Sequence, residues 1–169
     1  MSTSTTKTVL LIRHAKSSWE IGVGSDFERP LNERGKRDAP MMAQRLLAKQ
    51  LPIDAFVSST ANRAATTAAF FIEAFGRKKS EIEYVSKLYH ADWDVFLDTI
   101  HHFNDSNNTV AIFSHNPGIT YTANILTNED VSLDNMPTCG IFAITFNVKH
   151  WKDIKVGMGK MLFFDYPKA

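Results

Sequence analysis

The sequence has a single cysteine, Cys139, among 169 residues, so no disulfide can form within the chain. A chain without disulfides suits a reducing compartment, and we expect a cytoplasmic protein. Long hydrophobic runs are also missing. The apolar run near the N-terminus, residues 9–12, is too short for a signal peptide or a membrane span, which predicts a protein that does not associate with membranes.

An excess of either charge is absent as well. The chain has 19 Lys and Arg against 18 Asp and Glu, a formal net charge of +1. Nucleic-acid binding needs clustered cations, and the short basic run at 77–79 does not supply them, so we expect no nucleic-acid partner. No group of His, Cys and Asp has the spacing of a metal site, so we expect no metal and no cofactor.

A folded protein is nevertheless indicated, because 44% of the residues are hydrophobic and 22% are charged. The length is that of one ordinary domain. We therefore expect a single domain over residues 1–169, with residues 1–6 as a loose tail.

Strand and helix patterns alternate along most of the chain. Apolar runs predict strands at 8–12, 53–59, 81–86 and 108–114. Helical spacing of apolar residues predicts helices within 31–50, 60–76, 92–103 and 117–127. Two further strands, within 140–148 and 154–165, follow without a helix and predict an antiparallel pair. This order predicts an α/β fold of three layers, helices on both faces of a mostly parallel sheet, with the C-terminal pair at its edge.

The helix boundaries carry more specific expectations. Asn32 can cap the first helix, but Pro40 lies inside the pattern, so either the helix kinks there or its regular part begins near Asp38. Thr60 is expected to cap the second helix and Gly76 to end it. In the third helix, the expected buried side chains are Val95, Phe96, Ile100 and Phe103.

Three of the predicted strands end in polar residues of similar chemistry. The first ends in Arg13 and His14, the second leads to Arg63 in the first turn of the next helix, and another ends in Ser114 and His115. Sites in an open parallel sheet lie beyond the carboxyl ends of its strands. The three strand ends therefore predict one site.

These residue types suit the transfer of a phosphoryl group. Two guanidinium groups can bind phosphate oxygens in pairs, and the N-termini of the following helices add backbone donors. A neutral imidazole is a competent nucleophile, and cations around the equatorial oxygens stabilise the transition state without a metal.

The segment "LIRHAKSSW" resembles the signature of the histidine phosphatase superfamily, whose usual core is Arg-His-Gly. The segments "ERPLNERGKRDA", "VSSTANRAATTA", "KLYHAD" and "FSHNPGI" follow in the family's order. Together they are similar to the small bacterial branch, the SixA-type phosphohistidine phosphatases, over residues 8–146. The resemblance implies a phosphoglycerate mutase-like fold. One departure is Ala15, which stands where most of the superfamily has glycine.

The resemblance implies a role for each matching residue. His14 would be the nucleophile that becomes phosphohistidine, and His115 the second histidine, bonding the phosphoryl oxygens. Arg13 and Arg63 would bind the phosphoryl group. Ser17, three residues after His14, is a further candidate for phosphate contact, although an exposed loop serine is an equal alternative. Arg29 is more simply a loop anchor than a substrate contact.

A general acid is not evident. Many superfamily members place a glutamate after the shorter strand, and here His90 falls near that position. We hypothesise that the chain lacks a dedicated carboxylic acid, which suits cleavage of a P–N bond, because a leaving imidazole can take its proton from solvent. Glu20, Asp26, His90 and Asp92 are the side chains that could overturn this hypothesis.

The leading functional hypothesis is therefore a metal-independent phosphatase that acts through a phosphohistidine intermediate on a phosphohistidine-carrying protein partner. Two alternatives remain: a phosphatase of small phosphomonoesters, and a non-catalytic module that binds phosphorylated groups. A phosphoglycerate mutase is less favoured, because mutases of the superfamily usually carry extra segments to hold a bisphosphate.

Overall fold

A six-stranded sheet forms the centre of the computed structural model, which describes residues 5–19, 24–128 and 132–169. Its spatial order is β3-β2-β4-β1-β5-β6. The first four strands in this order are parallel, while β5 and β6 run antiparallel at one edge. The strands are β1 (Lys7–Arg13), β2 (Ala55–Ser58), β3 (Glu83–Tyr84), β4 (Thr109–Ser114), β5 (Ile141–Phe146) and β6 (Lys160–Asp165).

Alternate side chains of the central strands enter two separate cores, because successive residues of a strand point to opposite faces. Leu10 and Ile12 of β1 pack on one face against α1 (Glu33–Ala48) and α2 (Asn62–Ala74). Val9 and Leu11 pack on the other face against α3 (Trp93–His101) and α4 (Gly118–Leu126). The predicted three-layer α/β fold, mostly parallel with an antiparallel C-terminal pair, is confirmed.

The first helix begins at the predicted cap. The Asn32 side chain accepts a hydrogen bond from the backbone N–H of Gly35 at 2.9 Å, which satisfies one of the donors left open at a helix start. Pro40 lies within the helix, so the alternative start near Asp38 is wrong. The helix tolerates this proline because the Asn32 cap and the burial of its apolar face stabilise the turns on either side of Pro40.

The second helix corrects one expectation. Ala61, not Thr60, is the N-cap of α2, and no side chain caps its first turn. The physical reason is the buried hydroxyl of Ser59, which accepts a hydrogen bond from the N–H of Ala61 at 3.2 Å. This contact fixes the turn that precedes α2, so the helix starts after Ala61 and Thr60 does not cap it. Gly76 follows the helix with φ +74°, as expected for its end.

Two smaller expectations have mixed outcomes. Of the side chains expected to be buried in the third helix, Phe96 and Ile100 are buried and Val95 is half-buried. Phe103 is also half-buried and lies beyond the end of α3. Of the expected tail, residues 1–4 lie outside the described residues, and Lys7 already belongs to β1. No helix in the described part of the chain is long and apolar enough to cross a membrane.

Candidate active site

The three predicted strand ends meet at one cleft. His14 directly follows β1, His115 follows β4, and Arg63 lies in the first turn of α2, after β2. The backbone N–H of His14 donates to the carbonyl oxygen of Ser114 at 3.1 Å, which joins the ends of β1 and β4. The cleft has a volume of about 430 Å³ and is lined by Arg13, His14, Lys16, Ser17, Trp19, Asp26, Arg29, Arg63, His90, His115, Asn116, Pro117 and Thr138.

His14 lies at the buried floor of this cleft, with 5% of the residue exposed. Its Nδ1 is 2.8 Å from the carbonyl oxygen of Ala15. A carbonyl can only accept, so Nδ1 carries the proton and Nε2 of the neutral ring keeps its lone pair. Burial, and then the nearby His115, Arg13 and Arg63, lower the pKa of His14 to about 3, against the hydrogen bond to Ala15, which raises it. The ring is therefore neutral at physiological pH.

His115 faces His14 across the cleft, with ring centroids 5.2 Å apart. Its Nε2 contacts the Ser59 hydroxyl at 2.7 Å, and its buried Nδ1 has no hydrogen-bond partner among the described residues. Burial, followed by the charge of Arg63, lowers the pKa of His115 to about 3. Nδ1 is thus the ring nitrogen that the described residues leave without a hydrogen bond.

Arginine side chains surround the two histidines. Nη1 of Arg13 donates to the carbonyl oxygen of Met136 at 2.8 Å, and Nη1 of Arg63 donates to that of Asp26 at 2.7 Å. In contrast, Nε of Arg13, Nε of Arg63 and Nη1 of Arg29 are buried without a hydrogen-bond acceptor among the described residues. Buried donors are usually satisfied, so this concentration of unsatisfied N–H groups fits an anion such as phosphate.

Arg29 was expected to be a loop anchor, and the structure places it at the cleft instead. It is 8% exposed, and its Nε lies 3.4 Å from Oδ1 of Asp26 in an ion pair. Its position follows from a long-range contact of the 24–31 loop with α2, which local sequence patterns do not report. The side chain adds a third guanidinium group to the two that the strand ends predicted.

Asp26 links these arginines. Its Oδ2 accepts from Nη2 of Arg63 at 3.1 Å and from the hydroxyl of Tyr89 at 2.6 Å. The hydrogen bond from Tyr89 is the largest cause of its lowered pKa; Arg63 and Arg29 lower the pKa further, while burial opposes them. Asp26 is consequently a carboxylate that orients cations rather than a proton donor. Sequence reasoning had named it only as a possible acid.

Other candidate acids are placed differently. His90 lines the cleft and has φ +63°, a backbone conformation that is uncommon for a residue other than glycine. Asp92 is exposed at the N-cap of α3 and does not line the cleft. Glu20 lies outside the described residues.

The loop after His14 is fastened by its backbone. The N–H of Ala15 donates to Oγ1 of Thr67 at 3.0 Å, and that hydroxyl donates to the carbonyl oxygen of Arg63 at 2.8 Å. Ala15 is fully buried and is not among the described residues with positive φ, so an alanine fits where the resemblance expects glycine. Ser17 lines the cleft and is buried, with its backbone paired to Leu31; phosphate contact by Ser17 stays a prediction.

Acidic and soft ligands are not grouped at the cleft. Nowhere in residues 5–19, 24–128 and 132–169 do three or more His, Cys, Asp or Glu side chains come together as a possible metal site. The single cysteine, Cys139, is buried, and burial raises the pKa of its thiol, so the group stays protonated. The positive charge around the two histidines is supplied by arginines.

Comparisons with known proteins agree with this geometry. Residues 9–99 match the model of the histidine phosphatase superfamily (branch 1). An uncharacterized protein of Mycobacterium tuberculosis is 31% identical over 93% of this chain and 100% of its own. A crystal structure from Agrobacterium tumefaciens, assigned as the phosphohistidine phosphatase SixA, is 27% identical, with a TM-score of 0.80 over 95% of this chain and 98% of its own.

A phosphoglycerate mutase from Bacillus anthracis shares the fold. Its TM-score is 0.66 at 15% identity, over 92% of this chain and 93% of its own. At this identity the likeness concerns the fold alone, and it confirms the expected phosphoglycerate mutase-like architecture.

Proposed function

Because the chain belongs to the histidine phosphatase superfamily, we propose that it is a single-domain, metal-independent cytoplasmic phosphatase that forms a covalent phosphohistidine on His14. One observation carries this proposal. His14 holds a neutral imidazole at the floor of the cleft, with Nδ1 committed to Ala15 and Nε2 unprotonated. Such a ring is a nucleophile in its resting state and needs no separate base.

The reaction then has two displacements at phosphorus. Nε2 of His14 attacks the phosphoryl group, a new P–N bond forms, and the bond from phosphorus to the leaving group breaks with its electron pair. Water next attacks the phosphohistidine, the P–N bond breaks, and inorganic phosphate leaves while His14 regains its lone pair. The proton released by water returns to solvent or to the departing group.

The surrounding cations stabilise the transferring group. Arg13, Arg29 and Arg63 present buried N–H groups without acceptors, and donors already held in place at a site where negative charge accumulates lower the barrier. Nδ1 of His115 is a further contact for a phosphoryl oxygen. These groups supply the charge that a metal ion supplies in other phosphatases.

For the substrate we infer phosphohistidine on a protein partner. Asp26 is the one carboxylate among the described residues that line the cleft, and its lowered pKa makes it a poor acid. A leaving alkoxide needs a placed acid, whereas a leaving imidazole takes its proton from water. The assignment of the 27% identical Agrobacterium tumefaciens structure as a phosphohistidine phosphatase also supports this substrate.

A substrate panel in EDTA tests the proposal. We expect the kcat/KM for a phosphohistidine peptide to exceed that for an aryl phosphate, with phosphoserine peptide and sugar phosphates slower still. Efficient cleavage of alkyl phosphates would favour the alternative, a phosphatase of small phosphomonoesters. Turnover of none of them, with retained phosphate binding, would favour a non-catalytic binding module. Loss of activity in EDTA, restored by one metal, would contradict a metal-independent mechanism.

A series of substrates with different leaving groups tests whether a side chain of the protein acts as a general acid. In the wild type we expect the rate to fall steeply as the pKa of the leaving group rises. A flat dependence that becomes steep in Asp26→Asn, His90→Ala or Asp92→Asn would identify that side chain as the acid. That result would also favour the alternative function, a general phosphomonoesterase.

A further inference from the structure

Trp19 is an aromatic side chain at the mouth of the cleft. It lines the cleft, yet 75% of the residue is exposed. The other two tryptophans differ, since Trp151 is fully buried and Trp93 is half-buried outside the cleft. An exposed indole beside a polar cleft is unusual enough to require a reason, because large apolar surfaces at pockets commonly contact ligands.

One face of the Trp19 ring is occupied. The guanidinium carbon of Arg29 lies 3.4 Å from the ring centroid, so the two planar groups are in direct contact. Arg29 is itself buried and ion-paired to Asp26, which gives the indole a fixed support. The exposure of Trp19 therefore belongs largely to the rest of the ring, including the face turned away from Arg29.

The leaving group must lie near this mouth. His14 is on the buried floor, and in-line displacement puts the attacking and leaving atoms on opposite sides of phosphorus. The leaving group of a protein substrate also remains attached to a polypeptide that cannot enter a cleft of about 430 Å³. Both arguments place the leaving ring towards the solvent side, where Trp19 is exposed.

We propose that Trp19 is a specificity-determining residue whose open face binds the imidazole ring of the substrate's phosphohistidine. This inference rests on the proposed function and deepens it. The imidazole ring of phosphohistidine is flat and carries a positive charge when its second nitrogen is protonated, although the attached phosphoryl group is anionic. Tryptophan is the side chain that binds a positively charged group best through its ring face. The contact favours a phosphorylated ring over a phosphorylated alkyl chain or a bare phosphoryl donor.

The inferred contact acts on binding more than on the chemical step. When the P–N bond breaks, its electron pair returns to the ring and the positive charge of the ring is lost. The attraction to Trp19 thus holds the substrate and relaxes as the product forms. Its loss should appear mainly in KM.

The test compares two substrates that share a P–N bond but differ in the ring: a phosphohistidine peptide and phosphoramidate. In Trp19→Leu we expect KM for the peptide to rise about 3- to 30-fold, the range of a cation–π contact, and kcat/KM for phosphoramidate to fall much less. Trp19→Phe should be intermediate, because phenylalanine keeps a weaker ring face. Tyr121→Leu is the matched control, since Tyr121 is an exposed aromatic outside the cleft.

Each alternative outcome is distinct. An equal loss on both substrates would overturn the inference and show that Trp19 only supports Arg29. Unchanged kinetics in Trp19→Leu would overturn it too. A wild-type enzyme that cleaves phosphoramidate but not the peptide would overturn the proposed substrate together with this contact, whereas peptide cleavage with unaltered selectivity in Trp19→Leu would overturn the contact alone.

Discussion

Nδ1 of His14 donates a hydrogen bond to the carbonyl oxygen of the next residue, Ala15, at 2.8 Å. This single contact decides which nitrogen of the ring is available. With the proton held on Nδ1, the lone pair is on Nε2, and the low pKa of the buried ring keeps it there. The resting side chain is thereby prepared for attack on phosphorus.

This tautomer is directly measurable. Long-range ¹H–¹⁵N NMR of the ligand-free protein should show His14 as the neutral Nδ1–H form at pH 7.5, without protonation down to pH 5, because its pKa lies near 3. The His14→Gln variant assigns the signal. A ring found as the Nε2–H form, or one that titrates near 6.5, would contradict the assignment of Nε2 as the nucleophile.

Asp26 should act through the arginines that it contacts. Asp26→Ala removes the carboxylate that holds Nη2 of Arg63 and pairs with Arg29, and misplaced binding groups cost rate steeply, so we expect kcat/KM to fall roughly 10- to 100-fold. Asp26→Asn, which keeps an acceptor, should lose less.

The control for this prediction lies two residues away. Glu28 is exposed on the same short 3-10 turn, Asp26–Glu28, and does not line the cleft, so Glu28→Ala should behave like the wild type. Steady-state kinetics of the wild type and the three variants measure these differences in kcat/KM. Faster turnover and tighter phosphate binding in Asp26→Ala would mean that the carboxylate obstructs the anion site instead of ordering it.

Thr67 fastens the two segments that carry His14 and Arg63. Its hydroxyl is fully buried, and Thr67→Val leaves the N–H of Ala15 without an acceptor, which costs about 1–3 kcal/mol in the free energy of unfolding. We also expect a lower kcat, since the loop after His14 loses its anchor. Urea unfolding and single-turnover rates measure the two effects.

The adjacent residue offers a matched control for Thr67. The Thr66 hydroxyl bonds the exposed Asn62 side chain at 3.1 Å, so Thr66→Val should change stability by less than about 0.5 kcal/mol. Equal effects of the two substitutions would show that the hydrogen bond between Thr67 and Ala15 does not stabilise the protein.

The two low-pKa histidines make stability depend on pH. Their folded pKa values are about 3, below 6.5 for an unperturbed imidazole, so between pH 6.5 and 3 the unfolded chain binds protons that the folded chain excludes. The free energy of unfolding therefore falls as the pH falls through this window, by up to about 1.4 kcal/mol per pH unit for each histidine.

Urea unfolding at pH 7.5, 6.5, 5.5 and 5.0 checks this dependence, with His115→Gln for comparison. The variant has one such histidine fewer, so its stability should decline less steeply with acid. Parallel curves for the wild type and the variant would show that His115 is not responsible for the decline.

The strand ends were predictable because a buried parallel strand leaves a plain sequence signal, an apolar run that stops at polar residues. This signal located Arg13, His14 and His115, and the α2 pattern located Arg63. The sequence patterns did not place Arg29 and Asp26 at the cleft. Their positions depend on the contact between their loop and the start of α2, and Asp26 and Arg63 are 37 positions apart in the chain.

Local rules failed where tertiary contacts compete with them. A threonine before a helix is a good cap in general, yet Thr60 yields to the buried hydroxyl of Ser59. Pro40 argues against a continuous helix, yet α1 continues through it because its cap and its packed face outweigh one missing hydrogen bond. The hydrogen bonds by which Thr67 links Ala15 to Arg63 have no sequence signal. A threonine inside a helix usually forms hydrogen bonds only within its own helix.

The most direct test of the covalent mechanism is to trap the phosphorylated enzyme. The protein is mixed briefly with a ³²P-labelled phosphoryl donor, quenched in alkali and digested for mass spectrometry. We predict label on the peptide that contains His14, stable in alkali and released by acid as a phosphoramidate should be, and no label in His14→Ala. Turnover without any trapped label, label on another residue, or near-wild-type kcat in His14→Ala would contradict the covalent mechanism.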